Sequence, residues 1–292
     1  MKFVTVRTSS AEGIGALRAD GAVVDLSHDP TLPTTMVGLI EMGADGLAAA
    51  QRVLDDSTAP TISDPTYLPP IRPRNNIMAI DKNYHAHALE FSASGFDSSE
   101  KSPIPEHPIV FTKALSSIIG HGDSISLSSD PSGTTDYEGE LAVVIGVGGM
   151  NIAAENAFDH VFGYTVMNDV TARAVQQDHI QFFLGKSGST FGPMGPAIAT
   201  RDEVADITGT TLRTRVNGEL RQESKISQLI FDIPTLIATI SRTVMLQPGD
   251  VIATGTPEGV GLGFDPPKFL APRDVVEVDI EGIGTLSNPV VA

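Results

Sequence analysis

The chain of 292 residues contains no cysteine and no tryptophan, and it has only seven lysines. The lack of cysteine excludes disulfide bonds and thiolate metal ligands. No apolar run approaches the roughly 18 to 20 residues that a membrane-spanning helix needs, and the first eight residues show no secretory signal pattern. These absences predict a cytoplasmic protein that does not enter a membrane.

Positive charge is scarce, and its placement is informative. The net charge of −17 argues against nucleic acid or an anionic membrane surface as a partner. An acidic protein that acts on an anionic substrate has to place its few cations where the substrate binds. Lys113 and Lys186 lie in otherwise apolar or glycine-rich stretches, so we interpret them as candidate site residues.

Glycine and proline are plentiful, at 28 and 20 residues, and they separate short runs rich in valine and isoleucine. This pattern predicts an α+β fold that is rich in β structure, with a rolled or sandwiched mixed sheet. Residues 1–70 are predicted to form a small N-terminal α/β domain, and residues 71–292 a larger domain after a proline-rich connector. Asn217-Gly218 predicts a tight hairpin, and residues 34–54 predict an amphipathic helix.

Two glutamates at strand spacing give the strongest chemical signal. Glu138 and Glu140 come just before the apolar run 141–145, which predicts a buried strand. Side chains two residues apart on a strand point to the same face, and two like charges held that close repel unless a cation lies between them. Their oxygen atoms suit a hard divalent ion, Mg²⁺, Mn²⁺ or Ca²⁺. The alternative is a pair of solvated charges on an exposed strand.

A second polar segment follows the predicted strand 161–167. Asp169 at its end either caps the next helix or binds an ion. Arg173 and Gln176 are three residues apart, so they share one face of that helix. Arg173 either binds a substrate carboxylate through two hydrogen bonds or neutralises a nearby aspartate.

His87 and Glu90 are also three residues apart, in a stretch 81–90 that has the composition of a short helix. A carboxylate that contacts an imidazole orients it and raises its pKa, which produces a pair able to activate water. The alternative is an ion pair in solvent on an exposed helix. His85 would face away from His87.

Two glycine-rich segments come later in the chain. Lys186 stands in a turn-rich region where its ammonium group can be fixed toward a cavity. Residues 249–261 predict a strand and then a glycine-rich turn, which lacks the Gly-Lys-Ser/Thr ending of a phosphate-binding loop. We therefore interpret this turn as a tight active-site loop that carries threonine hydroxyls.

In this order, these segments resemble the fumarylacetoacetate hydrolase family. The matching motifs are NYxxHxxE at 83–90, FxK at 111–113, DYEGEL at 136–141, GYTxxNDxTAR at 163–173, GKS at 185–187 and TGTPxGVG at 254–261. The resemblance covers residues 75–290, and residues 1–70 resemble the small first domain of the longer members.

The resemblance implies a mixed β-sandwich roll, a homodimer and one divalent cation, Mg²⁺ or Mn²⁺ with Ca²⁺ as an alternative. It implies that Glu138, Glu140 and Asp169 hold this cation. It also implies that the helix with His87 and Glu90 is a lid that closes over the substrate and supplies the general base.

Further site residues are expected from the same resemblance. Lys186 is expected to be catalytic and to contact the substrate. The residues expected to bind substrate are Arg173, Gln176, Tyr164, Thr256 and Lys113. The chain departs from the family at Asp81, where glycine is frequent, at Gly188-Ser189, and in the longer stretch 92–106. All three lie beside expected site elements, so they bear on which substrate is used.

The leading functional prediction is metal-assisted hydrolysis of a C–C bond in a β-diketo acid such as an acylpyruvate or fumarylpyruvate. His87 would activate the water, and Lys186 with Gln176 would stabilise the oxyanion. The first alternative is a decarboxylase, tautomerase or isomerase of an oxaloacetate-like 2-oxo acid, which needs no attacking water. The second is a non-catalytic oxo-acid-binding protein. In each case the expected partner is a small anionic 2-oxo or 2,4-dioxo acid.

Overall fold

The computed structural model describes residues 1–7, 11–96 and 103–292. The strands in these ranges are β1 (Lys2–Arg7), β2 (Glu12–Leu17), β3 (Val23–Asp25), β4 (Thr66–Leu68), β5 (Ile77–Asp81), β6 (Ile109–Lys113), β7 (Ile118–Ile119), β8 (Ile125–Ser126), β9 (Thr135–Asp136), β10 (Gly139–Ile145), β11 (Val161–Asn168), β12 (Thr171–Ala172), β13 (Gly192–Thr200), β14 (Thr211–Val216), β15 (Glu219–Lys225), β16 (Val251–Ala253), β17 (Val275–Ile280) and β18 (Gly284–Val291). The α-helices are α1 (Met36–Glu41), α2 (Gly43–Asp55), α3 (His85–Ala93), α4 (Arg173–His179), α5 (Phe183–Lys186) and α6 (Ile233–Ser241).

The strands form two main sheets. The larger runs β3-β2-β1-β13-β11-β10-β16-β5-β6, with β4 and β7 paired beside β1 and β13. The smaller runs β15-β14-β17-β18-β8, and β9 pairs with β12 separately. Both main sheets combine antiparallel pairs with a parallel one or more. The predicted β-rich α+β fold with mixed sheets is confirmed.

Strand β10 shows how the chain builds a core on each face of the larger sheet. Leu141, Val143 and Ile145 point to one side, where they pack with side chains of β14, β17 and β18. Ala142 and Val144 point to the other side and join the cluster that includes α1 and α2. Because both faces are covered, the strand is a continuous apolar run rather than an alternating one.

Two local predictions can be compared directly with the structure. The hairpin at Asn217-Gly218 is confirmed, since both residues have positive φ, 54° and 78°, between β14 and β15. The amphipathic stretch 34–54 forms two helices instead of one. Thr35 caps α1 by accepting a hydrogen bond from the Gly38 amide, and the chain then turns at Gly43, whose φ is 56°.

The N-terminal strands belong to the larger sheet. Lys2 and Phe3 of β1 pair with Ala199 and Ile198 of β13, and β2, β3 and β4 extend from β1. Hydrogen bonds therefore cross the predicted division at residue 70. An independently folding N-terminal domain stays a prediction.

The predicted helix over 81–90 begins later than expected. Strand β5 continues to Asp81, and Lys82 has a φ of 51°, so α3 starts only at His85 and extends to Ala93. Of the long polar stretch 92–106, residues 97–102 lie outside the described residues. In the part of the chain that the structure describes, no helix has the length and apolarity needed to cross a bilayer.

Candidate functional site

Two adjacent strands bring three carboxylates together at one edge of the larger sheet. Strands β10 and β11 are antiparallel, with Gly139 opposite Asn168, so the start of one lies beside the end of the other. Glu138 precedes β10, Glu140 is its second residue, and Asp169 follows β11. Carboxylate oxygens of these three residues lie within 4.8 Å of one another, and all three side chains are buried. We call Glu138, Glu140 and Asp169 the carboxylate triad.

Backbone hydrogen bonds hold this strand end in place. The Asp169 amide donates to the Glu138 carbonyl at 2.8 Å, and the Glu138 amide donates to Oδ1 of Asn168 at 3.0 Å. Asp169 does not cap a helix, because β12 intervenes and α4 starts at Arg173 without a side-chain cap. Of the two interpretations of Asp169, the structure therefore favours the ligand.

The triad is electrostatically uneven. Glu138 is buried, which by itself would raise its pKa, but the adjacent charges of Lys186 and Arg173 lower that pKa to about 2. The pKa of Glu140 is instead raised well above its ordinary value by burial and by the negative charges of Asp169 and Glu138. The Gly255 amide donates to Glu140 at 2.9 Å and offsets only part of this effect. Glu140 is the member that most needs a cation beside it.

Two lysines contact Asp169, each through a different oxygen of its carboxylate. Lys186 Nζ donates to Glu138 at 2.7 Å and to Asp169 Oδ2 at 2.9 Å. Lys113 Nζ donates to Asp169 Oδ1, to the Val170 carbonyl and to the Lys186 carbonyl. An ammonium group has three donors. Lys113 therefore uses all of its donors within the protein, whereas Lys186 donates two hydrogen bonds to described residues and has one N–H left over among them.

Arg173 links the triad to the loop that follows β16. Its Nη1 lies 2.7 Å from Glu138 and its Nε donates to Asp136 at 2.9 Å. Asp136 in turn accepts hydrogen bonds from the Gly261 and Leu262 amides, at 2.6 and 3.1 Å. Nη1 of Arg173 also approaches the Gln176 side-chain oxygen at 3.4 Å, as expected for two residues on one helix face.

Helix α3 packs beside Arg173, whose guanidinium lies 5.7 Å from the centre of the Phe91 ring. His87 is 2% exposed, and its Nδ1 lies 3.2 Å from Glu90. The single N–H of Gly259 is shared between the two carboxylate oxygens of Glu90, at 3.0 and 3.3 Å. The pairing of His87 with Glu90 directs Nε2 of the imidazole away from Glu90. His85 is exposed. We call α3 the lid helix.

Close packing explains the glycines under the lid helix. A Cβ atom on Gly263 would lie 2.0 Å from the Glu90 carboxylate, and one on Gly259 would lie 1.9 Å from the Arg221 carbonyl. Phe91 packs against Val260 and Leu262 in a small separate apolar cluster. The lid helix is therefore fixed by one carboxylate and one aromatic ring.

The donor set fits a hard divalent cation. Such ions bind oxygen at about 2.0 to 2.6 Å, which places their ligand atoms within the separation that the triad shows. A cation bound beside Glu140 would stabilise its ionised form and so lower its raised pKa. Among the described residues, the triad is the group of possible ligand side chains whose oxygen atoms lie close enough together to hold a metal ion.

Comparison with known proteins agrees with this geometry. Residues 76–291 match the family model described as fumarylacetoacetate (FAA) hydrolase, C-terminal. The chain belongs to the fumarylacetoacetate hydrolase family.

The proteins that this chain resembles carry different activities in their names. The chain is 41% identical to the oxaloacetate tautomerase YisK of Bacillus subtilis, covering 99% of this chain and all of the relative. It resembles the structure of a fumarylacetoacetate hydrolase from Exiguobacterium antarcticum, with a TM-score of 0.85, 39% identity and coverage of 100% and 99%. It also resembles maleylpyruvate hydrolase from Sphingobium sp. SYK-6 in complex with manganese(II) and pyruvate, with a TM-score of 0.82, 29% identity and the same coverage.

Most residues expected from the family resemblance meet at this site. The residues that the structure brings together are Glu138, Glu140, Asp169, Lys186, Lys113, Arg173, Gln176, His87, Glu90 and Thr256. Two of them have their polar groups already used within the protein. Lys113 supports Asp169, and Thr256 donates to the Gly139 carbonyl and accepts from Gln222.

Tyr164 does not join the others. It lies in the middle of β11, opposite Val143, in the core between the two sheets. Four residues of strand separate it from Asn168, which corresponds to about 13 Å. Burial raises its pKa to about 12, and the nearest charge that acts on it is Arg201, which lies beyond β13. Its position in the family motif therefore reflects packing.

Asp136 and Asn83 are polar residues of the site to which the sequence prediction gave no role, whereas Asp81 was named only as a departure from the family. Asp136 anchors Arg173, and Asn83 joins the start of the lid helix to the Thr254 and Phe231 carbonyls, at 2.8 and 3.0 Å. Asp81 lies at the end of β5 with its side chain buried. Asp136 and Asn83 are parts of the family motifs, so the signal was present. Their roles depend on contacts with residues more than a hundred positions away.

Proposed function

We propose that this protein catalyses the keto–enol tautomerisation of a 2-oxo acid. The observation that carries the proposal is a buried imidazole, His87, held by Glu90 at 3.2 Å on a helix whose Phe91 ring lies 5.7 Å from the Arg173 guanidinium. Enolisation needs a group that moves a proton on and off carbon, and an environment that stabilises the negative charge of the enolate. The similarity to oxaloacetate tautomerase YisK along nearly the whole chain supports tautomerisation over hydrolysis.

The bound cation, for which Mg²⁺ and Mn²⁺ are the proposed identities, would be held by the triad and would act as a Lewis acid toward the 2-oxo acid group. Arg173 and Gln176 would orient the substrate carboxylate. The free N–H of Lys186 would donate to the oxygen on which negative charge develops.

His87 performs the proton transfer in this scheme. With Nδ1–H donated to Glu90, Nε2 is the free base and takes a proton from C3 of the keto form. The C–H electron pair becomes the C2=C3 double bond, and the π pair of C2=O moves onto the C2 oxygen. This enolate oxygen takes a proton from water to give the enol, and the hydroxide that is left accepts the proton that His87 took from C3. The reverse sequence returns the keto form.

The test follows the loss of the enol absorbance of oxaloacetate in the presence of Mg²⁺ or Mn²⁺. The protein should accelerate this loss, and His87→Ala should reduce the rate by about 10²- to 10⁴-fold. His85→Ala is the matched control, because the same change is made at an exposed position of the same helix. Equal rates for the wild-type protein and His87→Ala would refute the assignment.

Hydrolysis of an acylpyruvate remains the second candidate, and the similarity to maleylpyruvate hydrolase favours it. In that reaction the same Nε2 would take a proton from water, which attacks the distal carbonyl. Release of pyruvate and acetate from acetylpyruvate, without accelerated tautomerisation of oxaloacetate, would support hydrolysis. Release of CO₂ from oxaloacetate would support a decarboxylase. Thermal stabilisation by oxo acids without turnover would support a binding protein.

A further inference from the structure

The carboxylate of Asp81 has an oxygen atom that accepts no hydrogen bond from the described residues. Asp81 ends β5 with 8% exposure, and within the described residues its Oδ2 has no hydrogen-bond partner. Leaving a buried carboxylate oxygen unsatisfied is costly, so such atoms are rare in folded proteins. A buried oxygen in this state is suited to accept a hydrogen bond from a bound molecule.

The sheet places Asp81 beside the carboxylate triad. Strands β5 and β16 are parallel, with Ala79 opposite Ala253, so Asp81 is level with Gly255. The Gly255 amide donates to Glu140 at 2.9 Å. Asp81 therefore stands at the same sheet edge as the triad, one strand away from the residue that holds Glu140.

Charged groups of several elements act on the Asp81 carboxyl group. Those that act on its carboxyl come from Lys186 and Glu138 on the triad side, from His87 on the lid helix, and from the adjacent Lys82. A substrate that reaches His87 and Lys186 at once has to lie between them.

Asp81 alternates along β5 with Ile77 and Ala79, and Glu140 alternates along β10 with Ala142 and Val144. These apolar side chains belong to one core cluster, so Asp81 and Glu140 lie on the same face of the sheet. A 2-oxo acid bound at the triad would therefore lie beside Asp81.

Asp81 is anionic under mildly alkaline conditions. Burial raises its pKa to about 6, and the charges of Lys186 and His87 limit the increase. At pH 8 the site therefore adds a negative charge and a free acceptor next to the bound substrate. Both properties favour a neutral donor group and disfavour a second carboxylate.

We propose that Asp81 is a specificity-determining residue, which selects 2-oxo acids whose distal end carries a neutral hydrogen-bond donor over those with a second carboxylate. This inference rests on the proposed function, since it assumes that a 2-oxo acid binds at the triad. Within the substrates of the proposed function, it ranks 2-oxo acids with a neutral distal donor above dicarboxylates such as oxaloacetate, without excluding the latter.

The experiment compares two probes with the same four-carbon skeleton, oxaloacetate and 4-hydroxy-2-oxobutanoate. They differ only in the terminal group, a carboxylate or a hydroxymethyl group. Dissociation constants are measured by calorimetry with Mg²⁺ at pH 8, in a His87→Ala background that prevents turnover. Replacing Asp81 by Asn keeps the shape and removes the charge, and it should shift the ratio of the two constants at least tenfold toward oxaloacetate.

Asp250 provides the matched control. It is a buried aspartate at the other end of the neighbouring strand β16, and its oxygens are used by Asn75 and the Gln247 amide. Asp250→Asn should leave the ratio unchanged. Asp81→Ala should shift the ratio in the same direction as Asp81→Asn, which separates the charge effect from an effect of the new amide.

The outcomes distinguish the two proposals. An unchanged ratio in both Asp81 variants, or a shift toward the hydroxy acid, overturns the role of Asp81 alone. Binding of neither probe by the His87→Ala protein overturns the proposed function and this inference together. A shift of equal size in Asp250→Asn would assign the effect to the overall charge and would also overturn the inference.

Discussion

The two sides of the site are built in contrasting ways. On the strand side, the carboxylate triad is held by backbone hydrogen bonds and by buried contacts with Lys186, Lys113 and Arg173. On the lid side, the lid helix is held by Glu90 on the Gly259 amide and by Phe91 in a small apolar cluster. The strand side has many mutually dependent charges, whereas among the described residues the lid helix has three buried side chains, those of His87, Ala88 and Phe91.

This difference assigns a separate task to each side. Buried charges that neutralise one another tolerate little displacement, because each one left alone would carry a large desolvation cost. The strand side is therefore expected to keep its geometry when a substrate binds. Segments with few buried apolar contacts open at low free energy cost, so the lid helix is suited to admit a substrate and then bring His87 to it.

The largest effect is expected from Lys186→Met, which removes the cation shared by Glu138 and Asp169. Removing one partner of a buried ion pair lowers the free energy of unfolding by about 3 to 5 kcal/mol. The rate of tautomerisation should fall at least 10²-fold. Denaturant unfolding and the tautomerase assay measure both. A stability close to that of the wild type would show that the strand side does not depend on this network.

Glu140→Gln tests the uneven charge within the triad. Because the pKa of Glu140 is raised by burial and by its carboxylate neighbours, the neutral amide should leave the metal-free protein at least as stable as the wild type. The same variant should lose the stabilisation by Mg²⁺ or Mn²⁺, which is about 2.7 kcal/mol at a hundredfold excess over Kd. Thermal unfolding with chelator and with metal checks both parts, and a retained metal effect would remove Glu140 from the ligand set.

The pH dependence of stability tests the burial of Asp81. Its pKa is raised from 3.8 to about 6 in the folded protein, chiefly by burial. The unfolded chain therefore releases this proton first, and stability falls as the pH rises from about 4 to about 6. Relative to Asp81→Asn, the metal-free wild type should lose up to about 3 kcal/mol over this window. Parallel stability curves for the two proteins would contradict the raised pKa.

The smallest effect is expected on the lid side. Gly263→Ala places a Cβ atom 2.0 Å from the Glu90 carboxylate, so Glu90 has to leave the Gly259 amide. The catalytic efficiency should fall about tenfold, equivalent to about 1.4 kcal/mol, while the unfolding free energy changes little. Gly13→Ala is the control, because a Cβ atom there meets no atom of the described residues within 4 Å. A large loss of stability in Gly263→Ala would show that the lid helix is part of the rigid core.

Local patterns were sufficient for much of the site. The i, i+2 spacing of Glu138 and Glu140, the i, i+3 spacing of His87 and Glu90, and the hairpin at 217–218 each depend on the geometry of one element. The position of Tyr164 did not follow from its motif, because a residue in the middle of a strand lies far from the strand's end. The start of the lid helix was also missed, since Lys82 adopts a positive φ that composition does not reveal.

The sequence by itself determined the donor chemistry of this protein. Without cysteine it has only oxygen and nitrogen ligands, its few lysines include Lys113 and Lys186 at the site, and its motifs indicate the family. Only the tertiary structure brought the three carboxylates of the triad together, placed Lys186 between Glu138 and Asp169, and left Oδ2 of Asp81 without a hydrogen-bond partner among the described residues. These outcomes depend on the pairing of β10 with β11 and of β5 with β16, which joins residues distant in the chain and removes their charges from water.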